Sequence, residues 1–248
     1  MQVSTDVLAV LSAAQVDGPN VLLVGQLDRA LYTKTNKVLE AAGGKWNKKA
    51  KAHVFDGDAS ERIEQVILTG SIEIPKDEFN FFPSPPAVVH RLLELAKIET
   101  GMRVLEPSAG DGAIAWACAA GGALVDCYEI QQGNAFFLAM NAPHELGKTT
   151  VADFLTVGPE PVYDRVVMNP PFLKQADIKH VMHAHQFLKP GGLLVAVMAA
   201  GVTFRTDSRT QAFNELVQDR GGHIEPLPEN SFKSSGTGVN TVIAVIPA

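Results

Sequence analysis

Apolar and amphipathic segments alternate along the last two thirds of the chain. Short apolar runs predict strands, and the segments between them have helical spacing. The predicted strands are 103–106, 123–129, 149–151, 163–168, 193–198, 223–225 and 241–246. The predicted helices are 85–96, 113–120, 134–140, 178–188 and 210–219. Such alternation is typical of an α/β fold with a parallel, doubly wound, Rossmann-like sheet that binds ligands at the carboxyl ends of its strands.

The first 75 residues have a different pattern and predict a small α+β domain. An apolar run at 21–24 precedes a helical pattern at 28–42, which the pair Gly43 and Gly44 ends. A strand or hairpin arm is predicted at 46–55 and a helix at 59–68. Residues 70–80 resemble a linker, so we expect one domain at 1–75 and a second at 76–248.

The composition is that of a soluble globular protein, with 46% hydrophobic and 19% charged residues. No apolar stretch is long enough to cross a bilayer, and the N-terminus has no signal-peptide pattern. We therefore expect a cytoplasmic protein that does not associate with membranes. Cys118 and Cys127 are too few for a zinc site of four cysteines or a disulfide framework, so we expect two buried, reduced thiols.

Three histidines in the predicted helix at 178–188 invite a metal hypothesis. Val181, Ala184 and Leu188 mark the buried stripe of this helix. His180 and His183 fall outside that stripe. We therefore expect no metal site.

The charge distribution gives two opposing indications about nucleic acid. The formal net charge of −6 argues against a nucleic-acid partner. Between residues 29 and 51, however, Glu40 is the only acid among seven basic residues. This segment mixes lysines with an aromatic residue, as phosphate contact and base stacking require. The predicted nucleic-acid contacts are Lys45, Trp46, Lys48, Lys49 and Lys51. The alternative is a solvated basic face with a tryptophan in the core.

A glycine-containing loop at 105–112 joins a predicted strand to a helix. Glycines there let a ligand approach the backbone, as in cofactor loops. Gly110, Gly112 and Ala115 satisfy a loose dinucleotide fingerprint, and Glu129 ends the next strand as a ribose-binding acid would. From this loop alone, a nicotinamide-dependent enzyme remains open.

The tetrapeptide Asn169-Pro170-Pro171-Phe172 directly follows an apolar strand. Two consecutive prolines stiffen the turn because each fixes φ. The turn can therefore hold the Asn169 side chain and the Pro170 carbonyl as two acceptors for the exocyclic amine of adenine, whose lone pair is otherwise delocalised into the ring. Phe172 would offer a π-face to a nucleotide swung out of the duplex. The alternative is a rigid structural turn.

The sequence from Glu106 to Gly112, together with this tetrapeptide, resembles the amino-group methyltransferases that modify adenine. The resemblance implies S-adenosylmethionine as cofactor, with its methionine part wrapped by the loop, its ribose held by Glu129 and its adenine amine contacted by Asp153. It also implies a catalytic role for Asn169, Pro170, Pro171 and Phe172. The cofactor contacts implied are Phe82, Pro83, Ser84, Glu106, Pro107, Ser108, Ala109, Gly110, Gly112, Glu129, Ile130, Asp153, Phe154 and Asn169.

Two weaker resemblances extend this assignment. The segment 81–85 is similar to the motif that precedes the cofactor loop in one circular order of DNA adenine methyltransferases. The segment 231–233 resembles a later motif whose aromatic residue, here Phe232, packs on the target base, although Phe232 could equally lie in the core. The substrate contacts expected on the catalytic face are Phe172, Lys174, Arg205, Arg209, Phe232 and Lys233.

These features predict an adenine-N6 DNA methyltransferase. We expect low sequence specificity because no target-recognition domain follows the last strand. A ribosomal RNA base methyltransferase and a protein-glutamine methyltransferase remain as alternatives, although the latter usually has tyrosine at the position of Phe172. The non-enzymatic alternative is a nucleic-acid-binding protein that retains the fold.

Overall fold

The computed structural model describes residues 2–55, 57–72, 82–142, 144, 146–235 and 238–248. The helices are α1 Thr5–Ala13, α2 Arg29–Ala41, α3 Ser60–Thr69, α4 Pro86–Ala96, α5 Ala113–Ala120, α6 Gln132–Asn141, α7 Ala176–His185 and α8 Ser208–Asp219. The strands are β1 Gln15–Asp17, β2 Asn20–Leu22, β3 Lys45–Asn47, β4 Ala52–Val54, β5 Arg103–Glu106, β6 Leu124–Glu129, β7 Thr149–Val151, β8 Tyr163–Met168, β9 Leu188–Ala199, β10 His223–Pro226 and β11 Thr241–Pro247. No helix among these residues is both long and apolar enough to span a membrane.

A seven-stranded sheet with the order β10-β11-β9-β8-β5-β6-β7 organises the larger part of the chain. The central strands β9, β8, β5, β6 and β7 pair in parallel, which confirms the α/β, Rossmann-like fold. Strand β11 is the exception because it runs antiparallel to both β9 and β10. A parallel return from β10 would need a long crossover, usually helical. Between β10 and β11 the described residues contain only a short 3₁₀ turn at Lys233–Ser235, which suits an antiparallel neighbour.

Both faces of this sheet are buried. Alternate residues of β9 show this clearly: Val195 and Val197 belong to one apolar cluster, and Leu194 and Ala196 belong to the other. Helices α4 and α5 cover the first face, and α7 and α8 cover the second. Strand β9 begins at Leu188, five residues before its predicted start, because Leu188 already pairs with Tyr163 of β8. The preceding helix therefore ends at His185.

The N-terminal region forms a separate antiparallel sheet with the order β1-β2-β4-β3. Helices α1 to α3 pack with it around Leu11, Val21, Leu39 and Ile63. The helices predicted at 28–42 and 59–68 are confirmed, and the segment predicted as a strand or hairpin arm contains the hairpin β3–β4. Helix α1 and strand β1 were not predicted. The proposed domain boundary near residue 75 lies outside the described residues and stays a prediction.

Helix α3 joins the two regions. Glu64 of α3 forms a buried ion pair with Arg205, their closest atoms 3.0 Å apart. Glu61, one turn earlier, faces Lys174 at 3.5 Å. The amide of Asn240 also donates a hydrogen bond to the Leu68 carbonyl at 3.2 Å. The N-terminal region therefore packs beside the segment that follows the tetrapeptide 169–172.

Candidate active site

A cleft of about 900 Å³, part of it open to solvent, lies at the carboxyl ends of β5, β6, β7 and β8. This is the edge of a doubly wound sheet where ligands bind. Fifteen of the residues proposed from the sequence line it: Phe82, Pro83, Ser84, Glu106, Pro107, Ser108, Ala109, Glu129, Ile130, Asp153, Phe154, Asn169, Pro170, Pro171 and Phe172. The proposed cofactor and catalytic segments therefore meet in one place.

Glu129 ties the two loops of this cleft together. Its carboxylate accepts a hydrogen bond from the Gly110 amide at 2.8 Å and another from the Gln131 amide at 2.7 Å. Gly110 and Gly112 both have positive φ, and a Cβ on Gly112 would meet the Trp116 ring at 2.9 Å. The loop after β5 therefore needs glycine at 112 for its path. Two carboxylate oxygens have about four acceptor sites, so Glu129 can still accept from ligand hydroxyls.

Glu106 presents a buried carboxyl group to the same cleft. Its side chain is 2% exposed, and its Oε2 has no hydrogen-bond partner among the described residues. Burial raises the pKa of Glu106 well above its usual range, and the nearby Asp111 and Glu129 add to this effect. A cationic ligand group would reverse that shift by stabilising the ionised carboxylate. The buried Glu106 carboxyl therefore fits a ligand that carries an ammonium group, as the methionine part of S-adenosylmethionine does.

The Asn169 side chain has a fixed orientation at the end of β8. Its Nδ2 donates to the Phe82 carbonyl at 3.2 Å and to Ser84 Oγ at 3.1 Å. Its Oδ1 is buried and has no partner in the described part of the chain. Because the two hydrogen bonds identify the nitrogen, the free acceptor lies on the other side of the carboxamide. Asn169 thus offers the cleft an acceptor that awaits a donor.

Backbone strain follows the tetrapeptide directly. Lys174 and Gln175 have φ values of 55° and 58°, in the left-handed region that non-glycine residues rarely adopt. Gln175 Nε2 donates to Asp207 at 2.8 Å, and Arg209 donates to the Lys174 carbonyl at 3.3 Å. Strained residues of this kind persist where the surroundings hold them, and they cluster at functional sites.

His180 is the cleft residue that sequence reasoning placed elsewhere. It was expected only to lie outside the buried stripe of its helix, but it lines the cleft, with Nδ1 3.4 Å from Ser108 Oγ. Burial lowers the pKa of His180 to about 4, so its imidazole is neutral at pH 7. Its position in the second turn of the helix after the tetrapeptide was the available signal. Other lining residues not proposed from the sequence are Asp111, Ala113, Ile114, Gln131 and Ala152.

Two proposed substrate contacts are contradicted by burial. Phe232 is 0% exposed, packs in the core and does not line the cleft, so it presents no surface to a base. Phe172 is also buried, at 2% exposed, and packs in the same cluster, but it lines the cleft. Arg205 is 9% exposed and bonds to Glu64, so its guanidinium is part of the interior and not of a DNA-contacting face. Lys233 and Lys174 are exposed, and Arg209 bonds to the backbone carbonyl of Lys174. These three keep their proposed role only as predictions.

The N-terminal lysines are all at the surface. Lys45, Lys48, Lys49 and Lys51 are exposed, and Trp46 is 45% exposed. The alternative of a tryptophan in the core is therefore wrong. Within the described ranges, no three metal-ligating side chains come together.

Comparisons with known proteins agree with this geometry. The family model described as "Methyltransferase small domain" matches residues 89–219, which is more than half of the chain. No curated protein sequence matches the chain.

Three solved structures share the fold at low sequence identity. A protein from Vibrio vulnificus, named as a type I restriction-enzyme modification subunit, is 16% identical with a TM-score of 0.56, and the match covers 69% of this chain and 45% of that one. A Listeria monocytogenes protein, named as a class I S-adenosylmethionine-dependent methyltransferase, is 15% identical with a TM-score of 0.55 over 88% and 72%. A Pyrococcus horikoshii protein, named as an RNA methyltransferase, is 21% identical with a TM-score of 0.51 over 70% and 89%.

The family model includes the cofactor loop, the acidic strand ends and the tetrapeptide, which line the cleft, whereas Phe82, Pro83 and Ser84 precede the matched residues. The chain belongs to the methyltransferase small domain family and is a methyltransferase that uses S-adenosylmethionine.

Proposed function

We propose that this protein transfers a methyl group from S-adenosylmethionine to the exocyclic N6 amine of adenine in DNA. The observation that carries the proposal is the Asn169 carboxamide. Its nitrogen is held by Phe82 and Ser84, and its buried Oδ1 is free to accept a hydrogen bond. The N–H group of an exocyclic amine can donate to such an acceptor.

The acidic residues of the cleft suit the cofactor's polar parts. Glu106 would hold the ammonium group of the methionine moiety through its unpartnered Oε2. Glu129 would accept from the ribose hydroxyls while it keeps its bonds to the Gly110 and Gln131 amides. Asp153, whose side chain accepts from the Leu155 amide at 3.0 Å, would contact the adenine amine.

The chain's own contribution to the reaction is to orient the amine and localise its lone pair. The bound cofactor supplies an activated methyl group on a sulfonium, so no metal is needed. Asn169 Oδ1 and the Pro170 carbonyl accept hydrogen bonds from the two N–H groups of the target amine. They hold the amine nitrogen so that its lone pair is available for methylation. Methyl transfer to this nitrogen would form an N–CH₃ bond while the S–CH₃ bond breaks with its electron pair left on sulfur as a neutral thioether, and the methylated nitrogen would lose one proton to water. Preorganised acceptors of this kind act mainly on the transition state.

Adenine in DNA is favoured by the motifs and not by the fold. The likeness to solved structures includes a protein named as a modification subunit of a type I restriction enzyme and another named as an RNA methyltransferase, so it does not choose between the two polymers. The sequence of the tetrapeptide and of the segment that precedes the cofactor loop resembles the DNA adenine enzymes. Phe172, which lines the cleft, takes the place of the tyrosine usual in protein-glutamine methyltransferases.

One assay separates these substrates. Purified protein is incubated with S-adenosylmethionine labelled in its methyl group and with unmethylated DNA, RNA or a glutamine-containing peptide in parallel. Each product is digested and its modified monomer identified by mass spectrometry. We expect N6-methyladenine from DNA, formed more slowly by a factor on the order of 10²–10³ with the Asn169→Ala variant. Label found only in RNA or only in glutamine would overturn the proposed substrate.

A further inference from the structure

The hairpin β3–β4 carries a dense cluster of positive charge. Four lysines, Lys45, Lys48, Lys49 and Lys51, fall within seven residues, and all four are exposed. None of them forms an ion pair with another described residue, although lysines elsewhere, such as Lys34 and Lys189, do. A cluster of unpaired cations on a protein with a net charge of −6 is a local feature with a distinct potential.

An exposed aromatic ring lies in the same hairpin. Trp46 is the cross-strand partner of His53, and the two ring centroids are 5.2 Å apart. His53 is fully buried and bonds to Asn36 of α2 at 2.6 Å, so it supports Trp46 from below. The outer part of the indole remains open to solvent, with 45% of its surface exposed. A supported aromatic face beside unpaired lysines is the combination that binds nucleic-acid strands.

The hairpin also stands near the proposed target-base site. Its first strand follows Gly43, and the Arg62 guanidinium packs there, donating to the Ala42 carbonyl at 3.1 Å. Arg62 is in the first turn of α3, next to Glu61, which faces Lys174. Lys174 comes two residues after Phe172. Helix α3 therefore contacts the residues before the hairpin through Arg62 and the segment after the tetrapeptide through Glu61.

We propose that the hairpin β3–β4 is a DNA-backbone contact surface that holds the duplex beside the catalytic cleft. Lys45, Lys48, Lys49 and Lys51 contact phosphates, and Trp46 packs on the strand. The positive charge of this surface is complementary to a polyanion. Because the hairpin lies on the side of the molecule near Phe172, we infer that the polyanion is the polymer whose base enters the cleft. The inference rests on the proposed function for the choice of DNA. Edge strand β3 also needs protection from pairing with other chains, which lysines provide. That role alone would not produce DNA affinity.

The test is a salt titration of DNA binding in the absence of S-adenosylmethionine. A fluorescein-labelled duplex of mixed sequence is titrated by anisotropy with wild type and with a variant in which Lys45, Lys48, Lys49 and Lys51 are glutamine. Each phosphate contact contributes about 0.9 to the slope of log K against log salt concentration. We expect the negative slope to become shallower by roughly 3 to 4 in the variant. The change should be similar for unrelated DNA sequences.

A matched control removes four positive charges near the amino ends of strands in the seven-stranded sheet, at the edge opposite the cleft. Lys97, Lys148, Lys189 and Arg220 lie at or before the amino ends of strands, and their replacement by glutamine lowers the net charge equally. This control should keep the wild-type slope. Trp46→Phe should bind DNA like wild type, whereas Trp46→Leu should bind roughly 5- to 150-fold more weakly. Thermal denaturation of each variant verifies that it is folded.

Failure of this inference is distinguishable from failure of the proposed function. Equal slopes for wild type and the hairpin variant would overturn the hairpin surface, even if the protein methylates adenine in DNA. A hairpin-dependent slope in a protein that methylates no DNA would support the surface and overturn the proposed function. Binding of structured RNA but not of DNA would overturn the commitment to DNA.

Discussion

Asn169 Nδ2 lies 3.1 Å from Ser84 Oγ and donates to it a hydrogen bond that spans 85 residues of sequence. Ser84 precedes α4, whereas Asn169 ends β8, so the bond joins the segment before the cofactor loop to the catalytic turn. The second bond of Nδ2, to the Phe82 carbonyl, comes from the same segment. The segment at 82–84 therefore orients the amide of Asn169, the proposed catalytic residue, and also lines the cleft.

Asn169→Ala should leave the fold and cofactor affinity largely intact. It removes the acceptor Oδ1, so we expect the rate of methyl transfer to fall by a factor on the order of 10²–10³. Ser84→Ala removes only one of two orienting bonds, which are worth about 0.5–1.5 kcal/mol each, so kcat should fall roughly 2- to 12-fold. Steady-state kinetics measure both variants. Ser84→Thr should restore the rate, and full activity of Asn169→Ala would sink the proposed mechanism.

Glu129→Ala should weaken binding of S-adenosylmethionine by roughly 1.5–3 kcal/mol because a buried ribose diol loses its charged acceptor. The same change leaves the Gly110 and Gln131 amides without their shared partner. Glu129→Gln retains one acceptor oxygen and the size of the side chain, so its loss should be smaller. Isothermal titration calorimetry gives both affinities. Unchanged affinity of the alanine variant would remove Glu129 from the site, and binding of NAD in place of S-adenosylmethionine would contradict the cofactor.

The sequence predicted the sheet and the cleft well because both depend on local patterns. The predicted bounds of β5, β7 and β8 agree with the structure. β5 and β8 each contain buried apolar residues followed by a polar or turn residue, whereas β7 is a short run of the β-branched residues Thr149, Thr150 and Val151. Ligand-binding loops follow such strands in a doubly wound sheet, so placing the loops in sequence also placed the site. In the N-terminal region, β1 is only three residues long with mostly exposed side chains, and it carries no pattern to detect.

The missed features depend on partners distant in sequence. Arg205 has the composition of a surface cation, but Glu64, 141 residues away, takes it into the interior. The direction of β11 depends on its pairing with β9 and β10, which a seven-residue apolar run does not specify. His180 reaches the cleft because α7 packs across the strand ends beside Ser108 and Phe154. Sequence spacing describes a residue's own helix or strand, whereas these properties belong to the packing between elements.

Asp177 should stabilise the protein at about pH 4 and lose this contribution as pH rises to about 7. Burial raises the pKa of Asp177 from 3.8 to about 7, against stabilisation by the Ala199 amide and by Arg205. Over this window Asp177 retains in the folded protein a proton that it has lost in the unfolded chain, so its contribution to stability falls with rising pH and levels off above about 7. His180 acts in the opposite direction between about pH 4 and 6.5, because burial lowers its pKa to about 4. A difference of about three between the folded and unfolded pKa of Asp177 corresponds to roughly 3–4 kcal/mol of unfolding free energy.

Urea denaturation at about pH 5 and about pH 8 checks this linkage. Asp177→Asn keeps an acceptor for the Ala199 amide but cannot ionise, so the difference in free energy of unfolding between variant and wild type should change from about pH 5 to about pH 8, while the contribution of His180 is common to both proteins. Relative to wild type, the variant should gain stability at the higher pH. An identical pH dependence of wild type and variant would contradict the raised pKa.

Breaking the Arg205–Glu64 pair should destabilise the protein more than breaking the Lys174–Glu61 pair, although both ion pairs join α3 to the same surface. The side chains of Arg205 and Glu64 are 6% and 12% exposed, so Glu64→Ala leaves a buried guanidinium without its main partner, at a cost of about 3 kcal/mol. Lys174 and Glu61 are 61% and 72% exposed, and an exposed pair contributes less than about 1 kcal/mol, so Glu61→Ala should have little effect. Urea denaturation of the two variants at one pH gives the comparison. Equal losses would mean that Arg205 finds another acidic partner when Glu64 is removed, and Asp177, which interacts with Arg205, is the acid to test.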